Sequence, residues 1–182
     1  MTGINAIILY SANIFRDAGT FSANQGSAIV NTANMIGTCI GVLLLNYFGR
    51  KTLMVINQAA LIGCLVVVWI ATTHQNSKLE LGAVVAFVFF FEFGPGPIVW
   101  LYISEICNDK ATSVNTFINW VFTLTVSLGT NTLLTTWPKD FTWMLFAIIS
   151  LVGLVFQLVF MKETRGLSEE QVKRLYRPGD AS

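Results

Sequence analysis

The sequence predicts an all-α membrane protein with six transmembrane helices. Of its 182 residues, 54% are hydrophobic and only 12% are charged, and the mean hydropathy is +0.64. Soluble globular chains carry about 25% charged residues, so this chain has too few charges to cover a surface exposed to water. Fourteen Phe and five Trp fit a lipid-facing surface with interfacial anchors. Short polar loops between long apolar runs complete the pattern of a multi-pass protein.

Six runs approach the roughly 20 residues that a helix needs to cross about 30 Å of hydrocarbon. The first is short and is interrupted by Asn5, Ser11 and Asn13. The third and sixth are almost purely apolar, so we expect them to support the other helices from outside. The predicted spans are 2–15, 26–47, 53–71, 79–104, 112–136 and 141–161, in a domain of 1–162 that precedes a tail of 163–182.

The charges of the loops indicate how the chain is oriented. If the loops alternate between sides, eight of the eleven basic residues lie on the side of the tail, and three (Arg16, Lys78 and Lys139) lie opposite. The positive-inside rule then places the tail and the loop with Arg50 and Lys51 in the cytoplasm. A five-span alternative, in which the first segment does not cross, changes only the side of the N-terminus.

The polar tail contains a candidate amphipathic helix at 167–176 (LSEEQVKRLY). Its apolar residues fall roughly on one helical face. Ser168 followed three residues later by Gln171 is the pattern of a capping box, in which each residue bonds the backbone of the other. We therefore expect a short helix that begins after Ser168.

The fourth run combines one deep acid with a predicted helix break. Glu92 lies inside an apolar stretch and is followed by Gly94, Pro95, Gly96 and Pro97. A carboxylate at bilayer depth is costly and usually faces a cavity or a partner. Prolines remove backbone donors, and the groups they free are tolerated only beside protein or a water-filled cavity. The combination predicts a solute path, with a structural bond between helices as the alternative.

Other runs carry polar stripes that can join Glu92. Asn31, Asn34 and Thr38 are three and four residues apart in the second run and therefore share one helical face. Asn115 and Asn119 lie in the fifth. Each side chain alone is explained as well by an interhelical hydrogen bond, worth about 0.6 kcal/mol in a membrane. Together they predict one polar cavity.

The composition of this cavity favours a neutral, polyhydroxylated solute. Asn donates and accepts at once, as sugar hydroxyls do, and Trp offers a flat apolar face with an N–H donor at its edge. An anion site would need Arg or Lys within the spans, and a cation site would need more than one deep carboxylate. We expect no metal and no cofactor, because Cys39, Cys64 and Cys107 have no ligand spacing and His74 lies in a loop.

Several classes of function are excluded by the same sequence. It has no Ser/His/Asp or Cys/His set within the spans, so we do not expect an enzyme. It has no Walker-type phosphate loop. A net charge of +1 without a basic cluster gives no case for nucleic acid.

Five motifs together resemble one family. They are GINAIILYSANIF at 3–15, GRKT at 49–52, FFFEFGPGPIVW at 89–100, the pair Asn119 and Trp120, and KETRG at 162–166. Over 2–170 the chain resembles the C-terminal half, helices seven to twelve, of a sugar porter of the major facilitator superfamily. That group includes facilitative glucose transporters and hexose transporters.

The resemblance implies one half of a two-part fold, in which two six-helix halves rock about a central site. It implies that the substrate-binding residues are Asn5, Asn31, Glu92, Trp100, Asn119 and Trp120. It implies that the cytoplasmic charge motifs Gly49, Arg50, Lys51, Glu105, Glu163 and Arg165 act as gates. The resemblance also implies that the helix break at Gly94, Pro95, Gly96 and Pro97 takes part in gating.

The chain departs from the family pattern at four places. The Gln-Gln pair that opens the family's seventh helix would precede Thr2, where only Met1 stands. Val99 replaces a third proline, Lys110 is the nearest substitute for an Arg after the conserved acid of the following loop, and Lys162 replaces the signature proline. We see no signal peptide, and because the sequence opens directly in membrane-embedded residues we expect it to be part of something longer.

The sequence therefore predicts the transport of a monosaccharide, most simply a hexose, by alternating access. Its expected partners are the monosaccharide, the lipid bilayer and a missing N-terminal six-helix half, and its expected location is the plasma membrane with a cytoplasmic C-terminus. Two alternatives stay open. One is a sugar sensor or interaction protein on the same fold that does not transport, and the other is a truncated fragment that is inactive alone.

Overall fold

The computed structural model describes Ile4, Ile7 and residues 23–45 and 47–176. This part of the chain is built from helices and contains no β-strand, so the predicted all-α class is confirmed. The helices are α1 (Ala23–Leu45), α2 (Arg50–Thr73), α3 (Ser77–Phe93), α4 (Pro95–Ile106), α5 (Asp109–Thr136), α6 (Lys139–Phe160) and α7 (Glu169–Leu175).

Four helical stretches of the described chain are long and apolar enough to cross a membrane. The fourth predicted span corresponds to α3 and α4 together, which form one such stretch. Helix α5 overlaps the fifth predicted span and has 28 residues, but its many Asn and Thr residues leave it less apolar than the others. The first predicted span lies outside the described residues, apart from Ile4 and Ile7. The four stretches are Gln25–Leu45, Arg50–Thr73, Ser77–Ile106 and Lys139–Phe160.

The bundle is organised around α2 and α3. Helix α3 packs against α1 and α2, and α2 also packs along α6. Their shared core includes Leu61 and Leu65 of α2, Phe87 of α3 and Trp143 of α6, all with no exposed area. Among the described helices, α5 makes its main contacts with α4 and α6, and these contacts are few. Large apolar side chains such as Phe117 and Leu128 are therefore 70% and 65% exposed along α5.

Two glycines allow α1 and α3 to approach closely. A methyl group built on Gly37 would lie 2.7 Å from the carbonyl oxygen of Phe89, and one on Gly41 would lie 2.6 Å from that of Phe93. Both distances are shorter than van der Waals contact, so any side chain would push the helices apart. Small residues four apart are a common means of close packing in membranes. Here they bring the polar face of α1 against α3.

The third and sixth predicted spans, α2 and α6, carry buried polar groups that the sequence did not lead us to expect. The amide nitrogen of Gln58, a residue that is 2% exposed, donates to the carbonyl oxygen of Ser150 at 3.1 Å. Asn57 is fully buried and donates to the carbonyl oxygen of Leu53. The apolar runs concealed these residues, because a few amides in a 20-residue window barely change its mean hydropathy. The Gln58 bond thus joins the two helices in addition to their apolar packing, whereas the Asn57 bond lies within α2.

The helix interruption falls at Gly94. Helix α3 ends at Phe93 and α4 begins at Pro95, so Pro95 and Pro97 occupy the first turn of α4. The N–H groups of a first turn have no intrahelical acceptor, so prolines cost little there. The hydrogen-bond ladder resumes where the amide of Ile98 donates to the carbonyl oxygen of Gly94. Gly94 packs against Asn57, and a methyl group on it would lie 2.5 Å from the Asn57 Cβ.

The glycine contact between α1 and α3 predicts opposite effects for two matched substitutions. Gly41→Ala should destabilise the bundle by about 1–3 kcal/mol, because the added methyl overpacks the contact. Gly129→Ala in α5 places its methyl in open space and should be neutral or stabilising by up to about 1 kcal/mol through helix propensity. Thermal unfolding in detergent measures both. Equal melting temperatures for the two variants would contradict the close approach.

Candidate functional site

The carboxylate of Glu92 is held by two side chains of α1. The amide nitrogen of Asn34 donates to Oε1 at 3.1 Å, and the hydroxyl of Thr38 lies 3.3 Å from Oε2. The same hydroxyl lies 3.0 Å from the carbonyl oxygen of Asn34, one turn earlier. Asn34 and Thr38 are four residues apart and so face α3 together. The Glu92 carboxylate therefore links α3 to α1 through hydrogen bonds. This is the structural role that was the alternative to a solute path.

The same carboxylate also lies at the helix break. A methyl group built on Gly96 would lie 3.1 Å from Oε2 of Glu92, so the side chain reaches the first turn of α4. Glu92 is only partly buried. An ionised carboxylate has about four acceptor positions, and the two bonds from α1 leave some of them free. The group can accept hydrogen bonds from a solute without releasing Asn34 or Thr38.

The other predicted contacts lie on the surface of the described bundle. Asn31 and Asn119 are exposed, and Trp100 and Trp120 are 43% and 62% exposed. Within the described part of the chain, none of them hydrogen-bonds Glu92. Asn5 lies outside the described residues. Asn34 and Thr38 lie on the polar stripe predicted from the sequence, but the prediction did not pair them with Glu92, and their spacing of four residues was the one signal for that pairing.

An ion pair connects α2 and α4 at the opposite end from the loop of residues 74–76, which we call the Arg50 end. The guanidinium of Arg50 donates to Oε1 of Glu105 from Nη2 at 3.0 Å and from Nε at 3.2 Å. The second oxygen of Glu105 accepts from the hydroxyl of Thr164 at 2.6 Å. Both charged side chains are only about one-fifth exposed. The pair therefore joins three segments in a partly dehydrated setting, where it is screened less than a surface pair.

Glu163 caps the start of α2 from 113 residues away. Its carboxylate accepts from the backbone N–H of Arg50 at 2.8 Å and from that of Lys51 at 3.1 Å. These donors have no acceptor inside their helix, and a negative charge there also complements the helix dipole. Gly49 precedes them, and a methyl group on it would overlap the carboxylate. Glycine at this position thus leaves room for the cap.

Two basic side chains complete the Arg50 end. The ammonium of Lys51 donates to the carbonyl oxygen of Leu158 at 3.0 Å, in the last turn of α6. The guanidinium of Arg165 donates to the carbonyl oxygen of Tyr47, just after α1. Cations at the C-terminal ends of helices satisfy carbonyl groups that lack a partner. The predicted charge motifs therefore join α1, α2, α4 and α6.

The tail helix α7 is fastened to α4. The capping box predicted for Ser168 and Gln171 is present. The hydroxyl of Tyr102 on α4 bonds that of Tyr176 and donates to the carbonyl oxygen of Lys162 at 2.8 Å. The ammonium of Lys162 donates to the carbonyl oxygen of Leu175 at 2.8 Å. The tail is thereby part of the Arg50 end.

The comparisons with known proteins identify the family. The family profile described as "Sugar (and other) transporter" matches residues 1–176. The chain belongs to this sugar transporter family. It is 33% identical to a facilitated trehalose transporter Tret1-2 homolog of Drosophila sechellia, over 95% of this chain and 38% of that protein. It is 34% identical to facilitated trehalose transporter Tret1 of Bombyx mori, over 95% of this chain and 37% of that protein.

A plant relative and a solved structure give the same result. Sugar transporter ERD6-like 6 of Arabidopsis thaliana is 32% identical over 96% of this chain and 39% of that protein. The proton:xylose symporter XylE, bound to 6-bromo-6-deoxy-D-glucose, superposes with a TM-score of 0.86 at 22% identity, over 97% of this chain and 40% of XylE. The predicted half of a major facilitator fold is confirmed. The chain spans about two-fifths of the length of these relatives.

The chain is therefore an integral, multi-pass membrane protein of a transporter family, which is not an enzyme class. In the described residues, no three His, Cys, Asp or Glu side chains come together as metal ligands. Cys39, Cys64 and Cys107 are free thiols.

The cap from Glu163 yields a stability prediction. Glu163→Ala removes the acceptor of two backbone donors and should lower the free energy of unfolding by about 1–2 kcal/mol. Glu163→Gln keeps one acceptor oxygen and should lose less. Glu170→Ala, an exposed carboxylate of α7, is the matched control and should change little. Thermal unfolding in detergent is the measurement, and a loss no larger for Glu163→Ala than for Glu170→Ala would contradict the cap.

Proposed function

We propose that this chain forms the C-terminal half of a membrane transporter for a sugar, most simply a hexose. The observation that carries the proposal is the half-buried Glu92 beside an interrupted helix, in a chain of the sugar transporter family. Glu92, Asn31, Trp100, Asn119 and Trp120 form one wall of the site. Asn5 is part of the same proposal through the family resemblance.

The chemistry of this wall suits a neutral sugar. Exposed amides of Asn31 and Asn119 offer paired donors and acceptors for hydroxyl groups. The partly exposed indole of Trp100 offers an apolar face for the C–H side of a sugar ring and an N–H donor at its edge. Glu92 has free acceptor positions and a fixed orientation, because Asn34 and Thr38 hold it. A preorganised acceptor costs little to align when the solute binds.

The opposite wall belongs to a second six-helix bundle. Helix α5 exposes Phe117, Trp120, Val121, Leu124 and Leu128 by 47–70%. The relatives are more than twice as long as this chain, and in this superfamily two six-helix halves enclose a site near the midplane. A partner half would cover the wall and complete the cavity. Alternating access then follows from rocking the two halves.

The Arg50 end is the proposed gate. The Arg50–Glu105 pair, the Glu163 cap and the Arg165 contact fasten α1, α2, α4 and the segment after α6 together. Such contacts favour the state in which this end is closed. The interruption from Gly94 to Pro97 is the second mobile element, because a helix without a continuous ladder bends at lower cost.

We place the Arg50 end in the cytoplasm and the protein in the plasma membrane. The basic loops gather at this end, which the positive-inside rule assigns to the cytoplasm. An epitope added after Ser182 should then bind antibody only when the cells are permeabilised. Staining of intact cells would contradict this orientation, and staining confined to internal membranes would contradict the location.

Sugar uptake tests the function. The chain is expressed in transporter-deficient yeast, alone and fused behind the N-terminal six-helix half of a curated relative, and uptake of labelled glucose is measured in vesicles. The fusion should exceed empty vesicles. Uptake by the fusion but not by the chain alone would identify this chain as a fragment that needs its partner half. Glucose binding by an inserted fusion that never transports would favour a sensor and contradict the proposal.

A residue-level prediction follows for the fusion. Asn31→Ala removes at least one hydrogen bond to the solute, worth about 0.5–1.5 kcal/mol, so the affinity for sugar should fall about two- to tenfold. Trp100→Ala should weaken affinity at least as much. Trp137→Ala, an exposed indole at the end of α5, is the control. Unchanged uptake at normal surface levels would refute both assignments.

A second candidate substrate is trehalose, a disaccharide, because several relatives are named facilitated trehalose transporters. Competition between glucose and trehalose for uptake in the same vesicles decides which of the two is the substrate. If unlabelled glucose displaces labelled glucose and trehalose does not, the site takes a monosaccharide. If only trehalose is carried, the hexose assignment is wrong and the transport function stands.

A further inference from the structure

A lateral groove separates α2 from α3 at the end of the bundle opposite to the Arg50 end. It has a volume of about 400 Å³. Small residues form it: Ala60 and Gly63 on α2 face Gly82 and Ala86 on α3. A methyl group built on Gly63 or on Gly82 would meet no atom within 4 Å. These glycines leave open space, in contrast to Gly37 and Gly41, which allow close packing.

The groove is apolar along its length and has one cation at its mouth. Phe90 closes the inner end, and Lys78 lies at the outer end in the first turn of α3. Within the described residues, the ammonium of Lys78 makes no ion pair and no hydrogen bond. Glu80, the acid two residues later, accepts instead from the hydroxyl of Thr72 on α2 at 3.0 Å. The mouth therefore offers an uncommitted positive charge.

The dimensions of the groove match one leaflet of a bilayer. Lys78 and Phe90 are twelve residues apart, which corresponds to about 18 Å along the helix, and one leaflet contributes about 15 Å of hydrocarbon. The α2–α3 loop ends a membrane-spanning pair, so Lys78 stands at the level of the lipid headgroups. No water fills a gap at hydrocarbon depth, so an acyl chain is the natural occupant of an open apolar groove there.

We propose that this groove binds one glycerophospholipid. One acyl chain lies between α2 and α3 down to Phe90, and the phosphate lies beside the ammonium of Lys78. Transfer of an acyl chain from lipid to an apolar groove gains little hydrophobic free energy, because both surroundings are apolar. The preference of the groove for this lipid over the surrounding bilayer therefore comes from the charge contact at Lys78 and from the shape of the glycine-lined walls.

Photocrosslinking in vesicles tests the site. The full chain is reconstituted in phosphatidylcholine vesicles that contain a small fraction of phosphatidylcholine with a photoreactive acyl chain, and the labelled peptides are mapped by mass spectrometry. Label should concentrate on the groove-lining segments of α2 and α3. Gly63→Leu and Gly82→Leu fill the groove and should abolish this label. Gly129→Leu adds the same side chain in open space on α5 and should leave the label unchanged.

Charge variants test the headgroup contact without changing the core. Lys78→Gln should lower labelling about fivefold, because it removes the cation beside the lipid phosphate; this loss corresponds to about 1 kcal/mol, the size of a single hydrogen-bonded contact. Lys78→Arg should retain it. Equal labelling of all lipid-facing helices, or equal loss in Gly63→Leu and Gly129→Leu, would show only a general lipid layer and overturn the proposal. Displacement of the label by cholesterol, with no effect of Lys78→Gln, would identify a sterol site and overturn it too.

Discussion

The absence of water at hydrocarbon depth is the constraint on which this structure depends. A carboxylate there must find its partners within the protein or in a wet cavity. Asn34 and Thr38 supply two of them for Glu92, and they reach it only because Gly37 and Gly41 let α1 lie against α3. The same close contact fixes the carboxylate beside the helix break. One packing arrangement thus satisfies a costly charge and orients it toward the proposed sugar site.

The backbone obeys the same constraint. An interruption inside a membrane helix frees carbonyl and N–H groups that lipid cannot satisfy. The chain limits this cost by placing both prolines in the first turn of α4, where their missing N–H groups have no intrahelical acceptor. Asn57 of α2 packs directly against Gly94. The interruption is therefore packed against α2. Because of this packing, the chain can bend there without exposing polar backbone groups to lipid.

The two ends of the bundle are built differently. At the Arg50 end, charged side chains satisfy helix ends and one another across four segments, so the network is strong only while those segments stay together. At the other end, α2 and α3 separate around an apolar groove with one cation. The first arrangement suits a gate whose contacts form and break as a set. The second suits a surface that remains in contact with lipid during the proposed transport cycle.

The sequence alone determined the helical class, the approximate limits of the described helices and the place of the break, because each follows from local composition. Apolar runs, a Gly-Pro-Gly-Pro stretch and the capping box at Ser168 are all readable from near neighbours along the chain. Tertiary structure decided which polar groups meet. Glu163 caps a helix that begins 113 residues earlier, Gln58 bonds α6, and Glu92 selects Asn34 and Thr38 rather than Asn31. The hydropathy of a window cannot reveal such pairs, because they depend on how closely the backbones approach.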